Sequence, residues 1–218
     1  MAYPTISAPY GLKPINLIGG QVFAGATRLL NIASGYNTSI FNGDVVKLVS
    51  TGTIEKDAGQ ATATPVGVFL GCSYVNAQGQ TIFAQYFPAN TTAPTGTTIT
   101  AYVADDPDQL FKVALVSGQT EDGNGLTIAF LGRTVIGSNL ELVQNTGSTV
   151  TGDSKIGAYS AAGATTTASL PLRVIDVVPD TANSSGNFCE VIVKWNAPYQ
   201  DAGGSLLGGH QYLNPTGV

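Results

Sequence analysis

Glycine, proline and threonine interrupt this chain so often that no window of a dozen residues keeps the 3.6-residue apolar stripe of a packed helix. The 218 residues hold 27 Gly and 11 Pro, which break helices, and 25 Thr, whose β-branched side chain favours an extended backbone. Between the interruptions lie short β-branched and aromatic runs at 44–50, 65–75, 81–87, 98–103, 110–116, 126–131, 172–178 and 188–195. Runs of that length, bounded by turn residues, predict antiparallel strands that close into a barrel or sandwich. Ser50-Thr51-Gly52, Asn76-Ala77-Gln78-Gly79 and Asp122-Gly123-Asn124-Gly125 predict hairpin turns, because Gly and Asn accept a positive φ at little cost. The nearly continuous apolar run Val191–Trp195 predicts a strand covered on both faces. One short helical turn is expected, at Asp106-Pro107-Asp108, where an N-cap residue precedes proline. The expected fold class is all-β: an antiparallel barrel or sandwich with extended N- and C-terminal arms and few short helical turns.

Charge narrows the function classes. Only 9 Lys+Arg and 14 Asp+Glu are present, 11% of the chain, against about 25% in an average soluble domain. A hydrophobic fraction of 43% with a net charge of −5 argues against disorder. Nine scattered cations and a pI of 4.6 argue against a nucleic-acid partner, because phosphate contacts need a concentrated basic footprint. Residues 58–104 carry no charge, but their Thr, Gln, Asn, Gly and Pro content does not suit a bilayer core, so no membrane partner is expected. The start, MAYPTISAPYGLKPINLIGG, lacks a basic segment before an apolar run and does not read as a secretory signal. Cys72 and Cys189 lie in strand-like apolar runs and are expected as buried free thiols rather than a disulfide.

Composition divides the chain into a Pro- and Gly-punctuated arm over 1–24, a main β-barrel-like domain over 25–136, and a Thr-, Ser-, Gly- and Ala-rich excursion or small subdomain over 137–169. Strands completing the β core follow over 170–200, and a Gly-rich C-terminal arm over 201–218. No convincing internal repeat is visible. The arms and their junctions carry the candidate partner-binding residues: Tyr3, Tyr10, Leu12 and Ile15 at one end, and Tyr199, Leu206, Leu207, Tyr212 and Leu213 at the other. Rigid amphipathic rings and apolar side chains in a Gly-rich frame suit an interface. For the tyrosines, packing against their own barrel is the competing account.

The inventory for chemistry is short. His210 is the only histidine and lies in the Gly-rich tail, where a solvated or interface role is expected rather than general-base catalysis. One His and two distant Cys offer no familiar transition-metal spacing. Asp105-Asp106-Pro107-Asp108 lacks the alternating ligands and closing Glu of a calcium loop, and is read as a turn capping its own amides. Arg28, Arg133 and Arg173 are the only arginines; each could clamp a partner carboxylate, but each is read as a strand-flanking surface residue. No catalytic residue, cofactor site, metal site or small-molecule substrate is expected.

The segment order GLKPINLIGG, ASGYNTSIFNGDVVKL, ATPVGVFLGCSY, YVADDPDQLFKV, SLPLRVIDVV, EVIVKWN and HQYLNPTGV resembles virion proteins of tailed bacteriophages, in particular the small β-rich capsid decoration or cement proteins. The resemblance spans nearly the whole chain and rests on segment order and style rather than on a chemical motif. It implies a non-enzymatic protein on the capsid exterior, made in the host cytoplasm, whose partner is the major capsid protein and which is often a homotrimer. Other expectations from the sequence are a tail- or fibre-associated structural protein, or a glycan-binding β domain displayed on the particle. The coiled-coil or repetitive segments typical of tail fibres are absent.

Overall fold

A computed structural model describes residues 9–116, 132–159, 167–181, 189–200, 202–203 and 206–215. The expected run at 126–131 and the turn at 122–125 lie outside the described residues. The strands, in chain order, are β1 (Lys13–Leu17), β2 (Arg28–Ile32), β3 (Val45–Leu48), β4 (Ile54–Lys56), β5 (Gly67–Val75), β6 (Thr81–Ala84), β7 (Ile99–Ala104) and β8 (Gln109–Val116). They continue with β9 (Asn139–Val143), β10 (Gly157–Tyr159), β11 (Leu172–Val177), β12 (Glu190–Trp195), β13 (Tyr199–Gln200) and β14 (Leu206–Leu207). Helical structure among the described residues is confined to single 3-10 turns at Gly132–Val135, Pro179–Thr181 and Gln211–Leu213. The chain is all-β, as its punctuation predicts. Asp106–Asp108 forms a turn rather than the expected helical one, and Asp106 Oδ1 caps the Asp108 amide at 2.8 Å.

The strands close into two five-membered rings. The first runs β2-β4-β3-β5-β7 and closes from β7 back to β2; the second runs β8-β10-β9-β11-β12 and closes from β12 back to β8. β6 extends the first ring as a hairpin on β5, and β1 extends the second along the edge of β8. The linker between the rings is Asp105–Asp108, so the sheets divide there and not near residue 136. The stretch 137–169 holds β9 and β10, two members of the second ring, and is not an excursion.

The two rings are one barrel built twice. Strand order is the same, and so is direction: β2 with β4 and β8 with β10 are the parallel pairs, while the remaining pairs in each ring are antiparallel. Register agrees pair by pair. Arg28↔Val103 matches Phe111↔Val193, Leu48↔Ile54 matches Leu142↔Ala158, and Val46↔Gly67 matches Leu140↔Leu172. Val68↔Ala104 matches Arg173↔Lys194, and the parallel pair Ile32↔Ile54 matches Leu115↔Ala158. A bulge interrupts β5 between Phe69 and Gly71, and one interrupts β11 at the equivalent place between Val174 and Asp176. Even the entry turn recurs. Gly43 (φ 94) and Gly137 (φ 85) sit in left-handed backbone that favours glycine. Gly43 donates to Phe69 O at 2.8 Å and Gly137 donates to Val174 O at 2.9 Å. Equal strand number and equal stagger give equal barrel diameter.

Equivalent inward positions are apolar in both copies: Ile32 and Leu115, Val46 and Leu140, Ile54 and Ala158, Phe69 and Val174, Val103 and Val193 are all buried. Each large apolar side chain so buried contributes about 1.5–3 kcal/mol. The larger core cluster does not stop at the second barrel. It takes in Val45, Val68 and Ala104 from the first and Leu12 from the amino-terminal segment, alongside Phe111 and Trp195. The connection between β9 and β10 straps onto the first barrel as well, with Ser154 N donating to Asn42 O at 2.9 Å and Asn42 N donating to Gly152 O at 3.0 Å.

Candidate interaction surface

Many of the chain's polar groups, the three arginines and Tyr10 among them, are engaged inside the chain. Glu190 is buried and takes the Tyr10 hydroxyl on Oε1, and Lys112 Nζ stands 3.0 Å from the same oxygen. Burial first, and the Glu190 contact second, raise the Tyr10 hydroxyl far above the ordinary tyrosine range. Asp44, fully buried at the head of β3, is held by Lys56 Nζ at 3.0 Å, Ser154 Oγ at 2.6 Å and the Phe41 amide at 3.0 Å. Arg28 pairs with Asp105, Arg133 lies 3.6 Å from Asp176, and Arg173 Nε donates to Asn139 at 3.1 Å. Cys72 and Cys189 are buried free thiols, their pKa values pushed by burial up to about 12 and about 11.

The tail histidine differs from its expectation. His210 is fully buried, and its Nδ1 accepts from the Tyr212 amide at 3.2 Å to cap the last 3-10 turn. Burial lowers its pKa to about 4 despite the opposing pull of Asp105 and Asp106. The reason is the C-terminal segment itself, which folds back over the first barrel. Gln211 N donates to Pro65 O at 2.8 Å. The Gln211 side chain meets both backbone groups of Leu48, accepting from its N at 2.6 Å and donating to its O at 3.1 Å.

The candidate partner-binding residues therefore separate. Leu12 is fully buried in the shared core and is not available to a partner; the apolar arm residue is a core residue because β1 begins immediately after it. Ile15 is half-buried within β1, and Tyr10 is engaged as described. Tyr212 is 42% exposed, donates its hydroxyl to Asp105 Oδ2 at 2.9 Å, and carries the Arg28 guanidinium 5.6 Å from its ring centroid. Tyr199 and Leu213 are exposed. Leu206 and Leu207 form β14 against β13, and Tyr3 lies outside the described residues.

No protein-family model, curated protein or solved structure matches the chain. The surface has to be read from its own geometry.

Large apolar side chains that the sequence reading passed over stand in solvent: Leu29 on β2 is 63% exposed and Phe83 on β6 is 74% exposed, with Ile18, Val22 and Val150 also exposed. A signal was present. Leu29-Leu30 and Ile82-Phe83 are apolar doublets in strands, and successive strand side chains point to opposite faces, so one of each pair must face outward. A cavity of about 610 Å3 opens where the β1–β2 connection meets the inter-barrel linker, with Phe23, Arg28, Asp105, Asp106 and Tyr212 in its wall. Among the described residues, no group of three His, Cys, Asp or Glu could hold a metal ion. No helix among them is long and apolar enough to cross a membrane.

Proposed function

We propose that the protein is a non-enzymatic structural component of a tailed-phage virion, seated on the outside of the capsid and reinforcing contacts between neighbouring major capsid subunits. The observation that carries this reading is the charge-free stretch 58–104, which supplies β5, β6 and β7 of the first barrel and presents Phe83 to solvent. An uncharged surface with apolar anchors can be covered by a neighbour without the several kcal/mol that each buried, unpaired ion costs. Two closed barrels joined by a shared core suit a protein that must resist deformation and react with nothing. A homotrimer, each copy making modest contacts that add through effective concentration, is the proposed assembly.

The test is reconstitution. Purified protein is added to expanded shells of the parent phage that lack it, and bound copies and the shell's thermal stability are measured. Saturable binding that raises the temperature of shell disruption is expected, and Phe83→Ser, at an exposed position, should weaken binding while leaving the protein's own melting temperature within a few degrees. Absence of binding to shells, or binding confined to tails, would sink the reading.

A further inference from the structure

The duplication exposes a difference between the two barrels. In the second, the edge of β8 over Gln109–Lys112 is covered by β1, which pairs antiparallel with Lys13 opposite Lys112, Pro14 opposite Phe111 and Leu17 opposite Gln109. The register equivalence places Ala26–Leu29 of the first barrel where Gln109–Lys112 stand in the second. There, β4 reaches β2 only at Ile32. Among the described residues, no backbone hydrogen bond joins Ala26–Leu29 to anything on that side, and all four residues are exposed. Among the described residues, the same β-barrel therefore has its edge filled in one copy and unpaired in the other.

We infer that the edge at the start of β2, Arg28 and Leu29 together with the preceding Ala26 and Thr27, is a strand acceptor, filled in the assembly by an extended peptide segment of the shell subunit that runs antiparallel to β2 as β1 runs to β8. The inference rests on the function proposed above. Bare strand edges are templates for pairing, and strand addition is a recurrent mode of peptide recognition. In the second barrel, Asp108 O accepts from Ile18 N at 3.0 Å, so the even-numbered residues of β8 turn their backbone groups towards β1. By equivalence, Leu29 turns its own outward, and Thr27 stands just ahead of β2 at the place of Leu110. Leu29 occupies the position of Lys112, so the residue opposite it on the incoming strand is apolar, whereas β1 offers Lys13. Size selects an arm over a globular partner. Even with the two residues ahead of β2 counted, four residues, about 13 Å long, fall far short of the roughly 1,200 Å2 that a stable pair of folded partners buries. A second copy docked through this edge alone would not hold.

The test uses full-length protein and shells. Leu29→Pro removes an outward amide at an edge position where proline is tolerated, as it is at Pro14 of β1. Losing one or two hydrogen bonds and the leucine contact should weaken shell binding at least about tenfold. If that variant does not fold, Leu29→Asp at the same exposed site is read instead. In parallel, Thr27→Cys places a reactive thiol on the edge, the native thiols being buried, and a short thiol cross-linker should join it to an extended segment of the shell subunit. Unchanged binding by the Leu29 variants, or a cross-link only to another copy of this chain, would overturn the acceptor assignment while the capsid role stood. Failure of the unmodified protein to bind shells would overturn both.

Discussion

At the scale of single residues, the groups that matter most are those whose surroundings oppose their chemistry. His210 is folded as a neutral ring, its pKa lowered from 6.5 to about 4 by burial. Because the folded value is the lower one, the stability tied to this ring is complete above pH 6.5 and is lost as pH falls through 6.5 towards 4. Melting temperatures recorded at pH 7, 5.5 and 4.5 should fall, with up to about 3 kcal/mol at stake, and His210→Gln should flatten that part of the profile. The paired turns offer a second residue-scale measurement. A methyl group at Gly137 would meet no atom within 4 Å, whereas at Gly43 it would come 3.1 Å from Tyr10 O and 3.2 Å from Gly11 Cα. Gly137→Ala should therefore cost only the left-handed backbone, about 1 kcal/mol, and Gly43→Ala distinctly more, as read by denaturant midpoints.

At the scale of elements, the hairpins were legible because their turn chemistry is local. Ser50–Gly52 joins β3 to β4, and Asn76–Gly79 joins β5 to β6, with Gly52 (φ 77) and Gly79 (φ 79) in the left-handed region. The short strands β1, β2, β4, β9, β10, β13 and β14 were not, since two to five residues carry too little periodicity, and β9 and β10 lie in Thr- and Gly-rich sequence. The fixing of the C-terminal segment was also hidden. It depends on Gln211 imitating a strand partner for Leu48, a contact across 163 residues of chain. Gln211→Ala removes two hydrogen bonds from the half-buried backbone of Leu48 and should cost about 1–3 kcal/mol. Hydrogen exchange should show faster opening of 208–214 in that variant, with the second barrel unaffected.

At the scale of the whole molecule, the repeat escaped the sequence because it has no period. Equivalent strands are separated by 83 residues (Ile32 to Leu115), 94 (Val46 to Leu140), 104 (Ile54 to Ala158), 105 (Phe69 to Val174) and 90 (Val103 to Val193), reflecting unequal connections. What the copies share is apolarity at inward positions, which many different side chains satisfy. The continuous core predicts joint unfolding of the two barrels. Cys72 reports on the first and Cys189 on the second, both buried and free. A thiol reagent should find both in the same thermal transition; exposure of one well before the other would show that the barrels melt independently.

The charge-free stretch that builds β5, β6 and β7 has one more consequence. Counter-ions weaken attraction between charges and leave apolar contact and backbone pairing largely intact, and even strengthen the former when the salt is sulfate. A contact made through that face would hold in concentrated brine as firmly as in dilute buffer, so ionic strength, the usual solvent lever for loosening protein assemblies, would have little purchase on this one.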